Sequence, residues 1–135
     1  MNVHRLFVYG TLRSDVGHRA HHFITQYFSL TGKAKVRGKL YNAVEFPAGL
    51  PDDNENFITG ELYELNNADE FLPAMHMLDE YECSYDRPGE PTLFRRELVK
   101  VLYNDTEVTA WVYWYNLPVT GLKLVSSGDF LKMDL

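Results

Sequence analysis

Val3-His4-Arg5-Leu6-Phe7-Val8-Tyr9-Gly10 is the stretch on which the fold reading turns. Leu6, Phe7 and Val8 are consecutive apolar residues without polar alternation, and a strand of that kind is buried on both faces. It stops at Gly10. Working outward, Leu30 to Val44 carries β-type residues punctuated by Gly32 and Gly38, the pattern of strands with bends or bulges. Phe46-Pro47-Ala48-Gly49-Leu50-Pro51-Asp52-Asp53-Asn54 reads as turn chemistry. Phe57 to Leu65 resumes as a strand, with Ile58, Leu62 and Leu65 facing in. Leu93 to Tyr103 and Glu107 to Tyr115 read as a hairpin around Asn104-Asp105-Thr106. The strongest helical signal is Asn67 to Glu82. Asn66 or Asn67 can cap it, and Pro73 requires a first-turn position or a break into two pieces. His18 to Phe28 reads as a short helix or a covering loop, Ser84 to Thr92 as a loop, and a helical turn is expected near Ser127. The helices interrupt a β-rich chain rather than alternating with its strands. The expected fold is therefore α+β, one domain over residues 1–135. Its core is a mixed, barrel-like sheet of five or six strands with one or two short helices.

Composition narrows the function classes. The 135 residues are 45% hydrophobic and 24% charged, an ordinary globular balance rather than a disordered one. The net charge of −6 and the lack of a basic stripe argue against a nucleic-acid partner. No apolar run approaches the ~18 residues of a membrane span, and the first residues lack the apolar stretch of a signal peptide. Cys83 is the single cysteine, which excludes an intrachain disulfide and a Cys-based zinc site. The expectation is a reduced, cytoplasmic protein.

Several residues could carry chemistry. Tyr9-Gly10-Thr11-Leu12-Arg13 follows the buried strand; it reads either as a strand-ending turn or as a nest of N–H groups for a carboxylate or oxyanion. Phe71, Met75, Leu78 and Glu82 share one helical face, so Glu82 ends an apolar stripe. There desolvation would raise its pKa toward the range of a general acid/base, unless the helix has already ended and Glu82 stands in water. Asp79 and Glu80 are expected to be solvated. His18, His21 and His22 lack the further ligands a metal site needs and read as solvated or capping residues. Cys83 has no assignable cationic neighbour and reads as a loop or core thiol. Trp111-Val112-Tyr113-Trp114-Tyr115 reads as a core strand or as one wall of a pocket, and Tyr115 is its substrate-binding candidate.

An ordered set of motifs resembles the gamma-glutamylcyclotransferase-like family. Phe7-Val8-Tyr9-Gly10-Thr11-Leu12-Arg13 is similar to that family's opening strand and Tyr-Gly-(Thr/Ser)-Leu loop. Gly38-Lys39-Leu40-Tyr41, Phe46-Pro47-Ala48 and Thr59-Gly60-Glu61-Leu62-Tyr63 resemble its next elements. Leu78-Asp79-Glu80-Tyr81-Glu82 resembles its Leu-Asp-x-x-Glu signature, and Phe94-Arg95-Arg96, Ala110-Trp111-Val112-Tyr113 and Ser127-Gly128-Asp129-Phe130 its closing elements. Cys83 stands where the family commonly has Gly, and Phe94 where it usually has Tyr. The resemblance implies a barrel-like α+β domain that needs no cofactor or metal. It implies a small gamma-glutamyl compound, such as a gamma-glutamyl-amine, as substrate. The implied reaction is a cyclising acyl transfer (a lyase-type cleavage) that releases 5-oxoproline and an amine, with Glu82 as catalytic acid/base. Tyr9, Gly10, Thr11 and Leu12 are the implied substrate-binding loop, where a small anion is expected to sit. The alternative is a non-catalytic small-molecule binding module on the same fold.

Overall fold

A strand with two apolar faces needs neighbours on both sides and cover above and below, and that requirement organises the molecule. The computed structural model describes residues 3–43, 46–82 and 92–132. Along the chain the elements are β1 (Arg5–Val8), α1 (His21–Thr25), β2 (Phe28–Asn42), β3 (Pro47–Pro51), β4 (Phe57–Leu65), α2 (Phe71–Glu82), β5 (Phe94–Tyr103), β6 (Thr106–Tyr115) and β7 (Lys123–Leu124). Short 3-10 turns lie at Ala68–Glu70 and Phe130–Lys132. β1 pairs antiparallel with β4 and parallel with β6. β4 continues to β2, and β6 to β5. Lys35 and Val36 of β2 then pair with Leu102 and Val101 of β5, closing β2-β4-β1-β6-β5 into a five-stranded mixed barrel.

Alternation along the strands sorts the side chains into two cores. Phe7, Val36, Ile58, Leu62, Val101, Val112 and Trp114, drawn from all five barrel strands, pack together as its interior. The opposite faces present Leu6, Val8, Tyr63 and Tyr113 to Ile24 of α1 and to Ala74, Met75 and Leu78 of α2. β1 is thus buried on both faces, as its apolar run requires.

The structure differs from the sequence reading in local ways. The Pro- and Asp-rich stretch expected to be turn contains β3, which pairs Pro47 with Asn42 and Pro51 with Gly38 of β2. Proline is tolerated there because β3 pairs with β2 alone and its other side needs no donors. β3 and β7 extend β2 beyond the barrel, bringing the described strands to seven. Pro73 is the third residue of α2, in its first turn. The preceding 3-10 turn is capped by Asn67, whose side chain accepts from the Asp69 N–H at 3.0 Å. The β5–β6 hairpin turns on two residues, Asn104 and Asp105, both with positive φ (49° and 62°), one residue tighter than expected. The expected loop over residues 84–92 and Cys83 lie outside the described residues, apart from Thr92. No described helix is long and apolar enough to cross a membrane.

Candidate active site

The chain leaves the barrel at the end of β1 and makes a tight turn at once. Tyr9 is buried, and its hydroxyl donates to the Tyr113 carbonyl of β6. Its ring packs closely against Gly49 of β3: a Cβ there would sit 2.7 Å from Tyr9 Cζ. The turn closes with the Arg13 N–H donating to the Gly10 carbonyl at 3.0 Å. Its two central amides, on Thr11 and Leu12, have no partner among the described residues. Gly10 permits close approach to Pro47, whose Cγ would lie 3.0 Å from a Cβ at that position.

Polar anchors hold the turn from behind. Arg13 is fully buried. Its guanidinium donates to both Asp15 oxygens at 2.8 and 2.7 Å and to Asp129 at 2.9 Å. Ser14 donates its amide (2.6 Å) and its hydroxyl to the buried Glu61 carboxylate, which also accepts from the Tyr63 hydroxyl at 2.9 Å. With the back of the turn satisfied, its two central amides are left without a partner among the described residues.

The turn lines a cavity of about 370 Å³. Tyr9, Gly10, Thr11 and Leu12 form one wall, and Tyr81 and Glu82, at the last turn of α2, form another. Phe46, Pro47, Leu93, Phe94 and Tyr113 supply apolar flanks, and the exposed His18 stands at the rim. Thr11 Oγ1 and the Tyr81 hydroxyl are 2.9 Å apart, so the two walls touch. Glu82 is half-buried, and desolvation pushes its pKa up to about 8. Burial also raises the Tyr9 and Tyr81 phenols, and the Glu82 charge raises both further, while the hydrogen bond from Thr11 opposes the rise at Tyr81. The cavity therefore combines a carboxyl able to exchange a proton near neutral pH, free N–H donors, and phenols that stay protonated.

The structure brings Glu82, Tyr9, Gly10, Thr11 and Leu12 to one cavity. Tyr115 is not among its lining residues. Its ring packs behind the wall, 5.7 Å from Phe94 and 6.1 Å from Phe46, and Tyr113 occupies the lining position two residues earlier on the same strand face. Asp79 corrects another expectation. It is only partly solvated and accepts from Arg96 Nε and Nη2 at 2.8 and 3.1 Å and from the Tyr113 hydroxyl at 2.7 Å. Burying Tyr113 requires a partner for its phenol, and Asp79 is within reach one turn before Glu82. Among the histidines, His18 Nδ1 accepts from the Ala20 N–H at 3.0 Å, and His21 Nδ1 is 3.0 Å from the Leu12 carbonyl. Tyr81 and Tyr113 are the lining residues that sequence reasoning missed. The signal for Tyr81 was its place beside Glu82; for Tyr113 it was the alternation of β6.

Comparison with known proteins agrees with this architecture. The family model described as gamma-glutamyl cyclotransferase, AIG2-like, matches residues 6–132. The gamma-glutamylcyclotransferase family protein YtfP of Escherichia coli K12 is 33% identical over 130 residues, 96% of this chain and 98% of the relative. The solution structure of Escherichia coli ytfP superposes with a TM-score of 0.61 at 31% identity, covering 97% of this chain and 99% of that one. YkqA of Bacillus subtilis gives a TM-score of 0.68 at 27% identity over 93% of this chain, but only 39% of its own longer chain. A mouse aig2-like protein shares the fold with a TM-score of 0.66 at 22% identity, over 92% of this chain and 86% of that one. The chain belongs to the gamma-glutamyl cyclotransferase, AIG2-like family.

Proposed function

We propose that the protein cyclises a gamma-glutamyl-amine or a related small gamma-glutamyl amide, releasing 5-oxoproline and the amine. The observation that carries this reading is the meeting, on one cavity, of Glu82, its pKa raised to about 8, with Thr11 and Leu12, whose amides have no partner among the described residues. The nucleophile belongs to the substrate. Its α-amine attacks its own γ-carbonyl, and a cavity that holds the chain folded gives that ring closure a high effective molarity. Glu82 takes one proton from the α-ammonium before attack and a second from the same nitrogen after ring closure, and passes them to the leaving nitrogen, which departs as an ammonium. The turn amides bind the substrate carboxylate or the developing oxyanion. Neither water nor a protein nucleophile enters the balance.

Glu82→Gln keeps the shape of the side chain but cannot exchange the proton. The variant is expected to lose roughly 10²–10⁴-fold in rate of 5-oxoproline release at saturating substrate, with thermal melts confirming the fold. Equal turnover by both proteins would remove Glu82 from the mechanism. Titration with 5-oxoproline is expected to shift the amide resonances of Gly10, Thr11 and Leu12, and unmoved resonances at saturation would count against the loop as the binding site. One observation favours a second reading, a non-catalytic binding module. A carboxyl set among aromatic rings is also a receptor for an organic ammonium. That reading expects no turnover by either protein and weaker binding of amine ligands to Glu82→Gln.

A further inference from the structure

The hydroxyls of the cavity wall are not equally engaged. Tyr9 donates to the Tyr113 carbonyl, and Tyr113 donates to Asp79. Thr11 and Tyr81 bond only to each other among the described residues, at 2.9 Å. Two hydroxyls in one hydrogen bond hold two protons and use one. Whichever donates, the other O–H is left without an acceptor among the described residues, in two residues that both line the cavity. The pair also bridges the two working walls. Thr11 is a central residue of the turn with the free amides, and Tyr81 directly precedes Glu82. When Thr11 donates to the Tyr81 oxygen, the Tyr81 O–H becomes a stronger donor through the polarised chain. The raised pKa of Tyr81 keeps that phenol neutral at neutral pH.

We propose that the Thr11–Tyr81 hydroxyl pair donates a hydrogen bond to the γ-carbonyl oxygen of the substrate as that oxygen becomes an oxyanion, completing the site begun by the turn amides. The inference rests on the cyclotransferase reading and adds Tyr81 to its machinery. In the step, the α-amine nitrogen bonds to the γ-carbon and the carbonyl π pair moves onto oxygen. That pair returns when the bond to the leaving amine breaks. The hydroxyls hold the oxygen throughout and neither gains nor loses a proton; proton exchange belongs to Glu82. A donor aimed at developing charge acts on the transition state more than on bound substrate, so its removal lowers kcat rather than raising KM.

The test compares wild type, Tyr81→Phe, Thr11→Val and the double variant. The readout is 5-oxoproline release from a panel of gamma-glutamyl alkylamides and a gamma-glutamyl benzylamide, well below each melting midpoint. Tyr81→Phe keeps the ring that packs 5.1 Å from Phe23, and Thr11→Val is nearly isosteric. The expected result is a fall of roughly 10²-fold in kcat for Tyr81→Phe, the usual worth of one oxyanion donor. KM should stay within about twofold, and the double variant should fall below either single one, since each single variant leaves one hydroxyl able to donate and the double leaves none. Wild-type kcat in the single variants, with or without a lowered melting midpoint, would overturn the assignment and leave the pair a structural latch. A change confined to KM would overturn it too. A wild type with no turnover on the whole panel would overturn the cyclotransferase reading, and this assignment with it.

Discussion

Glu82 is a carboxyl whose ionisation burial opposes, and the sign of that effect has two consequences. Its unfolded value is near 4.5 and its folded value about 8. Below about pH 4.5 it is protonated in both states. Between those values the folded chain holds a proton that the unfolded chain has released, so stability falls as pH rises through the window and levels off above it. Urea unfolding of wild type and Glu82→Gln across pH 4 to 9 is therefore expected to show the variant's advantage growing from about pH 4.5 to about 8 and then holding constant. A pH-independent difference would place the carboxyl in water. The same pKa governs the base. The kcat/KM reports groups on the free enzyme and is expected to rise through about pH 8, whereas the bound α-ammonium favours the carboxylate and moves the kcat limb lower. Glu82 was legible as the end of an apolar stripe of 3.6-residue period. Its exposure was not, because periodicity says which way a side chain points and not what stands opposite.

At the level of elements, Asp79 joins α2 to both strands of the β5–β6 hairpin through hydrogen bonds. Arg96 of β5 grips its carboxylate with two N–H groups while its guanidinium carbon lies 4.5 Å from the Trp111 ring centroid, and Tyr113 of β6 donates to the same oxygen as Arg96 Nε. Arg96→Met would leave Asp79 half-buried with the phenol alone. A loss of about 1–3 kcal/mol in denaturant unfolding is expected. Arg96→Lys is expected to recover only part of it, because an ammonium cannot reproduce the planar fork or the stacking on the indole. Asp79→Asn combined with Arg96→Met should lose less than the sum of the single losses, since the two residues share one interaction. The helix itself was readable from spacing and from its Asn cap. The role of Asp79 was not, because its partners lie 17 and 34 residues away in the chain. β3 was misread for a related reason: its prolines carry a local turn preference that pairing with β2 overrides.

At the scale of the whole molecule, Arg13 ties the candidate site to the far end of the chain. It is fully buried, and its bond to Asp129 spans 116 residues, so the turn after β1 is held by the C-terminal segment. Arg13→Ala would leave the buried Asp129 carboxylate without its cation. An expected destabilisation of about 3–5 kcal/mol, measured by urea unfolding, follows from breaking one side of a buried pair. Arg13→Lys keeps the charge but not the fork, and should fall between the two. If Arg13→Ala unfolded at the wild-type midpoint, the pair would contribute nothing to the fold.

The linear chain determined the buried first strand, the β-rich α+β class, the long hairpin and the capped helix. These follow from local patterns: apolar runs, periods of two and 3.6 residues, and turn chemistry. That a Tyr-Gly-Thr-Leu turn should meet a helix-ending Glu was implied by the family resemblance alone, since local pattern left both residues open to a plainer reading. Only the tertiary structure decided the rest. Barrel closure brings β2 against β5, and the packing of Phe46 and Phe94 against Tyr115 leaves Tyr113, on the same face of β6, to line the cavity. The approach of α2 to the turn after β1 pairs Thr11 with Tyr81 across 70 positions of sequence. Such contacts depend on the packing of whole elements, and packing is set by the sum of all the buried surfaces rather than by any one stretch of sequence.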